Sequence, residues 1–484
     1  MLAPLPSKQW DPAKAAHLLN RAGFGGTPEA IDSLHRLGLE GAVESLLDGP
    51  DESAKFPPPD YGPMLSPMMV REMFGEMSVE ERQMKLREAQ KDARERGLEL
   101  LGLWIRRMRD TAFPLREKLA LFWHGHFATS VEKVKDPYLM WVQNETFRKN
   151  ALGSFAALTK AVARDPAMMI YLDTRESRRL QPNENFAREL MELFTLGIGH
   201  YTENDIREAA RAFTGYKLNP VDMTYRFASV QQDDGEKVFF GKRGKFNGDD
   251  IVDLILAQPR CGVFIAGQLW RFFVEDAAAE TEVQDLGARF AKGGYEVRPL
   301  MREIFRSAVF YGPRAVRTQI KSPVQFAVNL SKILETPLPP GPQLANLLRQ
   351  LGQLPFMPPS VKGWDGGKAW ITTASLLARY NAANYAIGSG PMPMARGGRN
   401  AAGPVREVFN RSRVDFAKLA PPDLRGDRKE LLAALEWRVF NAKLPPAELE
   451  PFEDYLRNLG REPDDAAIRE VLHLMMSTPQ FQLT

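Results

Sequence analysis

Leu119-Ala-Leu-Phe-Trp-His-Gly-His-Phe127 sets the helical period that the rest of the chain repeats. Leu119, Phe122, Trp123 and His126 fall at i, i+3, i+4 and i+7, the stripe an α-helix buries. Pro114 stands where a first helical residue belongs, so a helix is expected from Pro114 to about Thr129. His126 lies on the apolar stripe, and His124 sits about 200° round an ideal helix from it. The two cannot chelate one ion from a regular helix. They could do so only if the helix ended and the backbone extended, a break that Gly125 would permit. A packed, hydrogen-bonded role for these rings stands beside a functional one.

The same period recurs along the chain. Residues 12–22, 138–164, 203–214, 249–257, 261–274, 280–292, 297–307, 322–335 and 342–353 read as helices. So do 370–386, 428–439, 447–458 and 465–477. Thr27-Pro28-Glu29 opens another, with Thr as N-cap and Pro at N1. Residues 78–98 form a charged, solvated helix. Residues 50–68 and 387–404, rich in Pro, Gly and Met, are loops, and proteolysis is expected there first. Strand character is confined mainly to 222–246. Met-Thr-Tyr-Arg-Phe-Ala-Ser and Lys-Val-Phe-Phe-Gly alternate there around Asp233-Asp-Gly235, as one hairpin. The expectation is an all-α fold, a single large multi-helix domain over 1–484 with one small β-hairpin.

Composition bounds the function. The chain has 484 residues, 44% apolar and 26% charged, with a net charge of +3. That overall charge argues neither for nucleic acid nor for an anionic membrane. One cysteine excludes an intrachain disulfide framework and any cysteine-based zinc cluster. No apolar run reaches the roughly 18–20 residues of a transmembrane helix. The first residues do not read as a signal peptide, so the chain as given reads as cytoplasmic.

Six histidines are present, and two are His124 and His126. About sixty residues on, Pro182-Asn-Glu-Asn-Phe-Ala-Arg-Glu-Leu-Met-Glu192 reads as a helix over 184–196. Asn185, Glu189 and Glu192 share one polar flank, and Glu184, Arg188 and Glu192 form a ladder beside it. Surface ion pairs explain such a ladder as readily as a site does. Thr202 and Asp205 read as an N-terminal cap. Gly241-Lys-Arg-Gly244 lacks the Gly-Lys-Ser/Thr ending of a phosphate loop. Ser360-Val-Lys-Gly-Trp-Asp-Gly-Gly-Lys-Ala-Trp370 sets Trp364, Asp365 and Trp370 on a Gly-rich loop. It either lines a ligand or plugs the end of a bundle.

His17-Leu-Leu-Asn-Arg-Ala-Gly-Phe-Gly25, Phe122-Trp-His-Gly-His-Phe127, the 182–197 segment and Tyr201-Thr…Thr-Gly215 carry a resemblance. Lys321-Ser-Pro-Val-Gln-Phe326, Pro358-Pro-Ser-Val-Lys-Gly-Trp-Asp-Gly-Gly367 and Thr478-Pro-Gln-Phe-Gln482 extend it. In order, from about 12 to 482, they resemble the bacterial domain-of-unknown-function family numbered 1800. Residues 50–100 are the least similar. The resemblance implies one long, mostly helical domain and brings no activity. The family is often encoded beside a sulfatase-like family bearing twin-arginine export signals. That implies a possible sulfatase-like partner and leaves a periplasmic or secreted place by co-export open.

Three functional expectations follow. The first is a metal-assisted hydrolase with His124, His126, Glu189 and Glu192 holding zinc, manganese or iron. In it a Glu is the base, His the acid, and Arg188 orients a carboxylate. The second is a non-catalytic partner of the sulfatase-like protein. The third is a metal-free, glycan-acting enzyme with paired carboxylates. The helices 114–129 and 184–196 are expected to be spatial neighbours.

Overall fold

The computed structural model describes residues 2–61, 77–276, 280–388 and 414–484. Helices follow one another along the described chain, and the sequence signals that start them are visible as hydrogen bonds. Thr27 caps the helix Pro28–Arg36, and Asn247 with Asp250 closes a capping box on Gly248–Leu256. Thr202 and Asp205 close another on Glu203–Ala212. The expected charged helix opens at the Ser78 capping box but runs on through Val79–Asp110. Its second half buries Leu100, Leu101, Trp104, Ile105 and Met108. The dense Arg and Glu before them hide this apolar half, which packs because charged stems can flank a buried stripe. The stretch 138–164 divides into Pro137–Lys149 and Phe155–Ala163, with Ser154 capping the second.

Strands form two small antiparallel sheets in place of the single expected hairpin. β1 (Tyr216–Leu218) pairs with β2 (Tyr225–Phe227), and β3 (Lys237–Phe239) with β4 (Lys242–Gly244). Asp233-Asp-Gly235 is therefore not a hairpin turn. Asp233 Oδ1 accepts the Gly235 N–H, and Arg211 clamps its carboxylate from the preceding helix, so the chain is redirected between sheets. Residues 219–224 join β1 to β2, and Phe240-Gly241, both at positive φ, join β3 to β4.

The core has two parts. One gathers side chains from Leu5 to Phe356, and the other runs from Phe326 to Phe481. Pro323–Ile333 serves both: Val324, Ala327 and Val328 face the first, while Phe326, Leu330 and Ile333 face the second. Gly341–Leu351 divides in the same way, with Leu344 and Leu348 against Leu347 and Leu351. Two helices apolar on opposite sides thus join the halves, as an all-round apolar helix must.

The expected loop 387–404 lies outside the described residues beyond Gly388, and 50–68 does so beyond Tyr61. Among the described residues no helix is long and apolar enough to cross a membrane.

Candidate functional site

The helix Pro114–His126 stays regular to its end, so the extended break at Gly125 that a shared ion would need does not form. Its two histidines turn to different neighbours. His124 is buried, and its Nε2 accepts the backbone N–H of Phe356 at 2.8 Å. That bond places the ring proton on Nδ1. Trp104, Phe356 and Trp364 surround it. His126 Nε2 lies 2.9 Å from the carbonyl oxygen of Phe194. A carbonyl only accepts, so here the proton is on Nε2. Burial pushes His124 down to about 3 and His126 to about 4, so both are neutral at ordinary pH.

The contact of His126 with Phe194 makes the two expected helices neighbours. The second is not the regular helix its spacing suggested. Asn185–Glu189 is α-helical, and Leu190–Thr195 widens to a π-helix. Leu196 N–H reaches back to Met191 O at 3.0 Å, and Thr195 Oγ1 donates to Leu190 O at 2.5 Å. Such wide turns recur at functional sites. Phe186, Leu190 and Phe194 remain buried, so packing of this stripe sustains the turn.

Widening rearranges the polar flank. Asn185 is exposed, and its N–H is bonded to Asn183 Oδ1. Arg188 does not join Glu192 in a ladder. It donates to both carboxylate oxygens of Glu203 at 2.9 Å and to Glu184 at 3.4 Å. Its expected role of orienting a pocket carboxylate is thus spent on surface pairs. Glu189 and Glu192 remain, both half-buried. Burial and then the charge of Glu192 push the Glu189 carboxyl upward, and Arg188 opposes them. Glu192 Oε2 accepts the Tyr201 hydroxyl at 2.7 Å. Burial and then the charge of Glu189 raise the Tyr171 phenol.

Tyr171 and Tyr201 carry no sequence signal of their own. The nearest hint to Tyr201 is Gly197-Ile-Gly199. Both glycines adopt left-handed φ, +86° and +84°, which reverses the chain and returns Tyr201 to Glu192. Arg260 closes this corner by donating to Leu196 O at 3.1 Å.

The Gly-rich loop divides. Trp370 is buried beside Gly352, where it acts as a plug. Asp365 is exposed and paired with Lys362 at 2.7 Å. Trp364 is half-buried over Gly125 and His124. Of the two expected alternatives for this loop, Trp370 takes the plugging one, and Asp365 lies at the surface beside Lys362.

As a metal site the expected set does not fit. Both Nε2 atoms are engaged with backbone groups, and the carboxylates lie with tyrosines. Among the described residues no three His, Cys, Asp or Glu side chains are grouped to hold an ion. What the arrangement offers is a carboxyl pair held in unlike environments, the condition for dividing acid and base roles.

A family model described as "Protein of unknown function (DUF1800)" matches residues 17–483. No curated protein and no solved structure matches the chain.

Proposed function

The chain belongs to the DUF1800 family, whose description carries no activity, and on that premise we propose that it is an acid–base hydrolase. Its working pair is Glu189 and Glu192, with no metal. The carrying observation is the unlike setting of the two carboxyls. Glu189 is favoured in its protonated form by burial and by its neighbour's charge. Glu192 is held by a phenol. Glu189 then donates a proton to the leaving oxygen while Glu192 takes one from the attacking water. Paired carboxyls are the working groups of glycoside hydrolysis, which makes a glycan the substrate class to test. The metal-assisted version, with zinc, manganese or iron on His124, His126, Glu189 and Glu192, draws less support because both imidazoles bind backbone.

Turnover of a panel of chromogenic glycosides tests this, with and without EDTA. Activity should survive chelation and fall about 100-fold or more in Glu189→Gln. Loss on chelation with recovery on added zinc or manganese would return the metal reading.

One observation favours the partner reading instead. Leu376, Leu377 and Tyr380 are exposed on one helix and line a groove of about 700 Å³ with Ile371, Met476 and Gln482. Apolar surface of this kind suits a protein partner. Co-purification of the sulfatase-like neighbour, abolished by Leu377→Asp, would support a docking role.

A further inference from the structure

The turn Arg178-Arg-Leu-Gln181 is closed by reciprocal backbone bonds between Arg178 and Gln181, so Arg179 and Leu180 form its corner. Leu180 is 94% exposed. Arg179 N–H donates to Gln231 O at 2.8 Å, which sets a second short turn, Ser229–Gln231, against the first. Val230, on that turn, is 93% exposed. Phe227, just before it at the end of β2, is also exposed. Lone exposed aliphatics are ordinary. Two at adjacent protruding corners, with an aromatic beside them, are a feature.

Cations ring this tip. Arg178 and Arg179 flank Leu180 in sequence, and Lys217 stands opposite Arg226 across the β1–β2 ladder. Lys217 Nζ donates to the carbonyls of Arg175 and Ser177, tying the sheet to the turn. It lies close enough to Arg178 and Arg226 for their charges to oppose its own. The carboxylates that touch this group are Glu176 on Arg175 at 3.2 Å and Asp234 on Arg179 at 3.6 Å. Asp233 is taken by Arg211, and Asp222 caps the Thr224 turn. Arg175, Arg178, Arg179, Lys217 and Arg226 therefore face Glu176, Asp234 and the still-charged Asp222, five cations to three carboxylates. The small net charge of the whole chain conceals this local excess.

We infer that the tip formed by Leu180, Val230 and Phe227, ringed by Arg178, Arg179 and Arg226, docks on an anionic lipid surface. Protruding aliphatic corners fit the headgroup–acyl boundary, where cations at the same level meet lipid phosphates. A protein partner would need a groove to receive two convex corners, and its acidic rim alone would not require them to be apolar. The backbone bonds between the turns satisfy polar groups that would otherwise resist insertion. This inference is independent of the carboxyl pair and holds whether or not the chain is a hydrolase.

Flotation of the full-length chain with vesicles tests it. Vesicles of phosphatidylcholine containing phosphatidylglycerol should carry the protein, and pure phosphatidylcholine vesicles should not. Replacing one arginine, as in Arg178→Gln, should weaken partitioning about 5-fold and lower its salt sensitivity. Leu180→Asp with Val230→Asp should weaken it about 10-fold or more at an unchanged melting temperature. Leu180→Phe should strengthen it. No flotation with anionic vesicles would overturn the inference. So would undiminished binding by the double aspartate variant, or retention on immobilised polyglutamate by a chain that ignores vesicles.

Discussion

His124 Nε2 accepts the backbone N–H of Phe356, 232 positions away in sequence, at 2.8 Å. One imidazole thus pins the entry of the Trp364 loop to the end of the helix Pro114–His126. His124→Leu leaves that buried N–H without a partner and should cost about 1–3 kcal/mol at pH 7. The pH sign follows from the lowered folded value, about 3. The unfolded ring protonates near 6.5 and the folded ring does not. Stability from this group is complete above that value and drains as pH falls toward 3. The parent should lose roughly 2 kcal/mol from His124 between pH 6.5 and 5, and the variant none. Urea unfolding at pH 7 and pH 5 checks it. A deficit of the same size at both would show that His124 does not titrate on unfolding.

Glu189 carries the opposite sign. Its folded value is raised by burial and by Glu192. The group is therefore most favourable to folding below its unfolded value, and it loses that contribution as pH rises through the folded one. Glu189→Gln should raise the melting temperature at pH 7 and lose the advantage near pH 4. Solvent reaches this half-buried pair, so the gain stays under about 1 kcal/mol. Added zinc or manganese should leave both melts unchanged. A metal-dependent rise in the parent alone would count against the metal-free reading.

Asp165 is a buried carboxyl outside the site. Oδ1 caps Met168 N at 2.9 Å and accepts Gln143 Nε2 at 2.8 Å. Its Oδ2 and Gln143 Oε1 have no hydrogen-bond partner. Burial pushes it up to about 7. Its contribution is thus present in acid and is lost as pH rises through 7. Asp165→Asn retains the cap and supplies an amide donor for Gln143 Oε1. It should stabilise the protein by roughly 1–3 kcal/mol at pH 8 and by little at pH 4. Thermal melts across that range decide, and a lower melting temperature at pH 8 would refute the assignment.

Gly363 separates crowding from conformational strain. It has φ +80°, and an added Cβ would stand 2.3 Å from Gly125 O. Gly199 has φ +84° with nothing within 4 Å of such an atom. Gly199→Ala should cost about 1 kcal/mol from backbone strain alone. Gly363→Ala should cost at least about 2 kcal/mol and loosen the Trp364 loop. Equal costs in chemical denaturation would mean that the loop yields freely.

Where helices start, and which side each buries, is written in local spacing. Thr27 and Thr202 announce caps because a short polar side chain and the next turn of backbone satisfy each other locally. The stripe Leu119, Phe122, Trp123 marks the core side for an equally local reason. Residues that belonged to one another through long separations were not legible. The spacing of Asn185, Glu189 and Glu192 assumed an α-helix, whereas packing against Phe194 and the His126 bond accompany a π-turn. Arg188 matched Glu192 by period but found Glu203 on the next helix. The expected single hairpin gives way to two sheets because Asp233, besides holding its own turn, is clamped by Arg211 from the preceding helix. Period and capping act within a turn or two, and sequence records them. The partners of a buried imidazole, carboxyl or guanidinium are set by whichever distant group removes it from water at least cost, and only the assembled fold decides that.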